Sequence, residues 1–190
     1  MRAVLDANVL YPSVLREILI GIAARGLYEP LWSDRLLREW TIAVGKLGPV
    51  VQAQAQTEAM LMKAAFPRAV VREQPNIEGR LMLPDLNDIH VLAVAVAGHA
   101  DCIVTFNARD FPRGVLAEEG IERRDPDGFL WQLWSHHPGE VGLVVADVHA
   151  RAERLAGQPI ALKTLLKRVQ LPKFARAVAD RAGTDQSAIS

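Results

Sequence analysis

Eight oxygen- and amide-bearing residues are placed where chemistry is possible. Asp6 and Asn8 close the apolar run RAVL near the N-terminus. Glu39 sits in WSDRLLREW, and Asp85 and Asp88 sit in LPDLND, just ahead of a long apolar stretch. Thr105, Asn107 and Asp110 follow the β-rich run DCIVTF. Carboxylates gathered from separate segments repel one another. The arrangement is tolerable when a cation neutralises them or when their pKa values rise. Hard oxygen donors, completed by water and phosphate, suit Mg²⁺ or Mn²⁺. Such an ion polarises a phosphodiester and lowers the pKa of an attacking water. Zinc is not expected, because Cys102 is the single cysteine and the five histidines show no ligand spacing.

Each acid also has a plainer reading. Asp6 can cap a following helix. Asp85 lies directly before an apolar helix and is a strong cap candidate, with Asp88 three residues on, where an acid complements the helix dipole. Glu39 lies roughly 100° from the centre of its helix's apolar face, a flank position open to solvent or to a crevice. Asn107 and Asp110 can be turn residues.

The elements that must position these groups alternate. RAVL reads as a first strand. SVLREILIGIAARG has helical spacing and stops at Gly26, and LYEPLW reads as a link. A second helix follows, with Ser33 as its N-cap and Leu36, Leu37, Trp40, Val44 and Leu47 on one face. QAQAQTEAMLMKAAF makes a third helix, and 69–71 a short strand. Residues 89–97 are apolar nearly all round, so that helix is buried. DCIVTF is a central strand, GIERR another, and DPDGFLWQLWS a helix. Beyond HHPGE the pattern is helical, with GLVVA as one possible strand, and GTDQSAIS reads as a disordered tail. Strands alternating with helices predict an α/β fold with a mostly parallel sheet, where ligands bind beyond the carboxyl ends of the strands. The divisions expected are 1–135, a helical extension at 136–182, and a tail at 183–190.

The totals bound the partners. Lys and Arg balance Asp and Glu at 22 each, so the net charge demands no polyanion. The balance hides an asymmetry: residues 149–190 hold eight basic residues against three acids, so the part before them is acidic to the same degree. Cys102, beside Ile103 and Val104, reads as a buried small hydrophobe in a reducing compartment. With no membrane-length apolar run and no leader pattern, a soluble cytoplasmic protein is expected.

Four pieces in this order, LDANVL, WSDRLLREW, LPDLNDIHVLAVAVAGHADCIVTFNARDF and IERRDPDGFL, resemble the PIN-domain ribonucleases, and most of all the VapC-like toxins of toxin–antitoxin pairs. The resemblance spans about residues 1–135 and is most specific over 84–111. It implies a three-layer α/β/α sandwich and Mg²⁺- or Mn²⁺-dependent endonucleolytic cleavage of RNA. It places the family's acidic quartet on Asp6, Glu39, Asp88 and Asp110 as catalytic and metal-binding residues. Asn8, Asp85, Thr105 and Asn107 take supporting positions. Many relatives carry Asp where Asn107 stands, so either Asn107 or Asp110 reaches the metal. The resemblance also implies an antitoxin partner and a homodimer.

The C-terminal extension matches a helical subgroup only loosely. Its Lys163, Lys167, Arg168 and Lys173 are candidates for RNA phosphates or an acidic partner, against the reading of a solvated helical face. Two rival enzymes fit poorly. A phosphatase with an aspartyl nucleophile wants a second acid at position 8, and no glycine-rich phosphate loop follows any strand. The stronger alternative is a PIN scaffold that binds RNA or a partner protein without cutting.

Overall fold

The structure, a computed structural model, describes residues 1–187 and side chains through residue 180. The chain begins with β1 (Arg2–Leu5), a single helical turn α1 (Ala7–Leu10) and α2 (Ser13–Ala24). β2 (Glu29–Leu31) follows, then α3 (Asp34–Gly45), α4 (Pro49–Ala65) and the short α5 (Pro75–Glu78). A 3₁₀ turn (Leu86–Asp88) leads into α6 (Ile89–Ala97) and β3 (Cys102–Val104). After α7 (Arg113–Glu118) and β4 (Glu122–Arg124) the chain is helical: α8 (Pro126–His136), α9 (Pro138–Ala156), α10 (Leu162–Arg168) and α11 (Pro172–Ser187).

These elements form two compact units. The first comprises Met1–Tyr11 and Tyr28–Asp125; the second comprises Pro12–Leu27 and the chain from Pro126 onward. The helical part therefore starts at α8, earlier than the expected 136, and takes in α2 from near the N-terminus.

The first unit is α/β, with four parallel strands in the order β2-β1-β3-β4. The two central strands are apolar without alternation, as a parallel sheet covered on both faces requires. Ala3, Val4, Leu5, Ile103 and Val104 are fully buried. The edge strands differ. β2 contains Pro30, which lacks a ladder N–H and belongs at an edge, and β4 reads Glu-Arg-Arg, a charged edge that resists further pairing. β2 lies in the stretch LYEPLW that reads as a link: its pairing with β1, not its composition, makes it a strand. Residues 69–71 supply only a single bridge, Val70 to Trp32. Ser33 caps α3 as expected, its Oγ accepting the Leu36 N–H at 3.1 Å. α6 buries every residue from His90 to Ala95. Cys102 is buried, and burial pushes its thiol up to about 12, so it packs as a small hydrophobe.

In the second unit α2 lies on α9. The approach is close: a Cβ at Gly21 would stand 2.7 Å from Val144 Cγ1. The β-branched run GLVVA is not a strand. It lies inside α9, where Val141, Val144, Val145 and Val148 make one buried stripe. Gly157 ends that helix at φ 67°, a left-handed cap that suits glycine. α8 packs on α11, with Trp134 edge-on to Phe174. The tail expected from 183 is helical through Ser187; residues 188–190 lie outside the described part.

Candidate active site

The strand order creates the site. From its carboxyl end β1 leads to β2 on one side, while its neighbour β3 leads to β4 on the other, so the two connections diverge and open a crevice at the carboxyl ends of β1 and β3. The register places Leu5 opposite Val104, which makes Asp6 and Thr105 neighbours across 99 positions of sequence. The Asp6 N–H continues the ladder to the Val104 carbonyl at 3.2 Å.

Three side chains lock together here. Thr105 Oγ1 donates to Asp6 Oδ2 at 2.6 Å, and Asn8 Nδ2 donates to the same oxygen at 2.6 Å. Asn8 Nδ2 also donates to Thr105 Oγ1 at 2.9 Å, and its Oδ1 accepts the Phe106 N–H at 3.1 Å. Thr105 Oγ1 accepts the Asn107 N–H at 2.9 Å. That hydroxyl thus uses its one donor and both acceptor sites. Asp6 is the N-cap residue of α1, yet its side chain makes no capping hydrogen bond. Burial pushes its carboxyl up, against the bond from Thr105 and the pull of the Ala7 and Asn8 amides.

Asp85 and Asp88 use their side chains differently. Asp85 caps the 3₁₀ turn, its Oδ1 accepting the Asn87 N–H at 2.9 Å. Asp88 occupies the N-cap position of α6 but caps nothing. Its Oδ2 instead accepts Asn107 Nδ2 at 3.2 Å, and the same amide reaches Asp110 Oδ2 at 2.8 Å. Asn107 Oδ1 accepts the Asp110 N–H at 3.3 Å, which ties the loop after β3 to the acid it carries. Carboxylate oxygens of Asp85, Asp88 and Asp110 lie within 4.8 Å of one another. Burial, followed by the charges of Asp6, Asp85 and Asp110, pushes the Asp88 carboxyl up to about 6. Like charges held this close, with oxygen as the only donor type, fit a hard divalent cation.

Glu39 is held differently. Its Oε1 accepts from Arg35 Nε at 3.2 Å, one helical turn back, and its Oε2 lies 3.1 Å from His90 Nε2. The His90 contact is close but off line for a hydrogen bond, so it is best described as electrostatic. Nδ1 of this fully buried ring has no hydrogen-bond partner among the described residues. Burial raises the Glu39 carboxyl, but His90 and Arg35 outweigh it and hold the group below its usual range. Half-buried on the flank of α3, Glu39 stands outside the three-carboxylate group.

Arg35 and His90 were not anticipated as site residues. Their signals are slight: an Arg four positions before Glu39, and the one polar side chain in the apolar run of α6. Lys163, Lys167, Arg168 and Lys173 belong to the second unit, on α10 and the first turn of α11.

A family model for the PIN domain matches residues 2–109, more than half of the chain. The chain belongs to the PIN-domain family, whose members are generally nucleases, and its α/β unit with a helical extension is the fold expected of it. The matched segment contains Asp6, Asn8, Glu39, Asp85, Asp88, Thr105 and Asn107; Asp110 falls one position past it. Neither the curated proteins nor the solved structures yield a significant match. No helix among the described residues is long and apolar enough to cross a membrane.

Proposed function

We propose that this protein is a metal-dependent endoribonuclease that hydrolyses RNA phosphodiesters, acting as the toxin of a toxin–antitoxin pair. One observation carries the nuclease reading. Asp6 and Asp88 both stand at helix N-cap positions and cap nothing, while Asp88 shares a 4.8 Å cluster with Asp85 and Asp110. Capping therefore explains neither acid, and for Asp88 the cluster offers another use, with Asp6 close enough for its charge to raise the Asp88 carboxyl.

Asp6, Asp88 and Asp110 would hold Mg²⁺ or Mn²⁺, with Glu39 and Asp85 beside them. When bound, such an ion supplies Lewis-acid polarisation of the phosphodiester and a more acidic water. The chain's own groups do the rest. Thr105 and Asn8 fix the Asp6 carboxylate through neutral donors, which leave its charge in place. Asn107 spaces Asp88 from Asp110 by donating to both. An Asp at 107 would add a fourth charge to that cluster, so this chain keeps the acid at 110 and a neutral bridge at 107. The toxin role, with an antitoxin, a second copy of the chain and a cytoplasmic setting, follows from the resemblance to VapC-like proteins.

The test is incubation of purified protein with a mixed tRNA and ribosomal RNA pool, with Mn²⁺ or Mg²⁺, with EDTA, and with Asp88→Asn beside wild type. Discrete fragments that need both the metal and Asp88 are expected. An intact pool in every lane, from folded protein free of bound inhibitor, would leave the non-cutting scaffold.

A further inference from the structure

Between Glu153 and Asp180 the chain has no acid, but it has six basic residues: Arg154, Lys163, Lys167, Arg168, Lys173 and Arg176. The second unit arranges most of them on one kind of surface. α10 buries Leu165 and Leu166 and leaves Lys163, Lys167 and Arg168 exposed on the opposite side. α11 packs against α10, buries Phe174, Ala175 and Val178, and leaves Lys173 and Arg176 exposed. None of these five has a carboxylate partner among the described residues. Pairing is available elsewhere in the same unit, since Arg151 meets Glu17 at 3.1 Å. Asp127, on α8, uses its carboxylate to accept the Lys173 and Phe174 N–H groups at 2.8 and 2.7 Å.

A second feature adds to the charge. Phe174, the one aromatic residue in this basic stretch, is fully buried. The fold supplies another from α8: Trp131, 37 % exposed, with Lys173 Nζ 3.4 Å from its ring centroid. Lysines and arginines without carboxylate partners, with one of them against an exposed indole, have the composition of a surface for nucleic-acid strands, where such cations neutralise phosphates.

We infer that the exposed face of α10 and the first turn of α11, together with Trp131, binds the phosphate backbone of the RNA substrate. The identity of the polyanion rests on the nuclease reading; the charge pattern alone asks only for closely spaced anions. The cations act without base readout, so the surface raises affinity for many sequences equally.

The experiment is fluorescence anisotropy of the full chain with a labelled 30-nucleotide RNA in EDTA, across a KCl series. Wild type is compared with Lys163→Glu/Lys167→Glu/Arg168→Glu, and with the milder Lys163→Gln/Lys167→Gln, whose exposed sites leave folding intact. Polyglutamate of matched charge serves as competitor. Cleavage of bis(p-nitrophenyl) phosphate with Mn²⁺, a phosphodiester too small to span a surface, reports on the acidic site separately. The triple variant is expected to bind at least about tenfold more weakly. Its salt dependence should be shallower by roughly 2 in log–log slope, from three lost contacts at about 0.7 each. The double variant should fall between, and small-substrate cleavage should be unchanged. Equal binding by wild type and both variants, or no binding by wild type, would overturn the inference. Polyglutamate displacing RNA at equal charge would also overturn it, in favour of an acidic protein partner. Loss of cleavage in every protein with RNA binding intact would sink the nuclease reading and leave this surface standing.

Discussion

Asp6 and Glu39 are both acids of the first unit, and they are restrained by opposite means. Asp6 is held by a hydroxyl and an amide, which are neutral donors. Glu39 is held by a guanidinium and an imidazole. Neutral donors orient a carboxylate and leave its charge. A cationic neighbour such as Arg35 orients it and offsets the charge as well. Their protonation tendencies differ too, for other causes: burial pushes Asp6 and Asp88 up, while His90 and Arg35 hold Glu39 down. The strand-end corner gathers several carboxylates with no Lys or Arg paired to them, whereas on the α3 flank Arg35 offsets Glu39. A reader who knew only the four acids would treat them as equivalent.

The difference can be broken or sharpened by measurement. The largest effect belongs to the corner. Asp88→Asn should lower metal-dependent RNA cleavage by more than about 100-fold, beyond the usual effect of a residue one step removed from a metal. Wild-type rates in that variant would break the comparison outright. Thr105→Val keeps the shape and removes the bond to Asp6, so apparent Mn²⁺ affinity should drop roughly 10- to 100-fold, read from the metal dependence of thermal stability. Glu39→Gln keeps the size and removes a charge that Arg35 already offsets. Its cleavage should fall by only about tenfold, the lower end of that range; a loss matching Asp88→Asn would show the flank to be as essential as the corner.

The smallest effect concerns pH and the metal-free protein. The Asp88 carboxyl is raised from 3.8 to about 6 in the folded chain. The folded state therefore holds a proton that the unfolded state has released. The stability tied to this group is fully present below about pH 4 and is lost as pH rises through about 6. Glu39, lowered, works in reverse: its contribution is present above the ordinary Glu range and fades as pH falls. With partial exposure taken into account, Asp88 amounts to about 1 kcal/mol. In EDTA, Asp88→Asn should melt higher than wild type at pH 7 and match it near pH 4. An Asn variant that melts lower at pH 7 would remove the case for repulsion in the cluster.

Much of this was legible in the residues, for physical reasons. The buried positions of the central strands are apolar, as is α6 apart from His90, and burial on both faces leaves that mark in any parallel sheet. Asp6, Asp88 and Thr105 were readable because they follow or precede such runs. β2 was not, since a three-residue edge strand containing Pro30 owes its state to its neighbour. GLVVA looked like a strand by composition, although Val141, Val144, Val145 and Val148 already had helical spacing; propensity misled where periodicity did not. The role of Asn107 was out of reach, because bridging two acids depends on a loop geometry that no local pattern encodes. His90 was hidden for a related reason: in a helix buried all round, one polar residue shows its presence and not its direction.

The closeness of Gly21 to Val144 has a consequence in time. α2 runs from Ser13 to Ala24, and its partner α9 starts only at Pro138. At about 5–20 residues per second of synthesis, roughly 6 to 25 seconds separate the two. Through that interval the nascent chain carries an apolar helix, with Ile18 and Ile22 lacking the cover they have in the finished protein. The α/β unit can complete its sheet once β4 emerges, before α9 is made, so α2 waits uncovered while strands made after it are already packed.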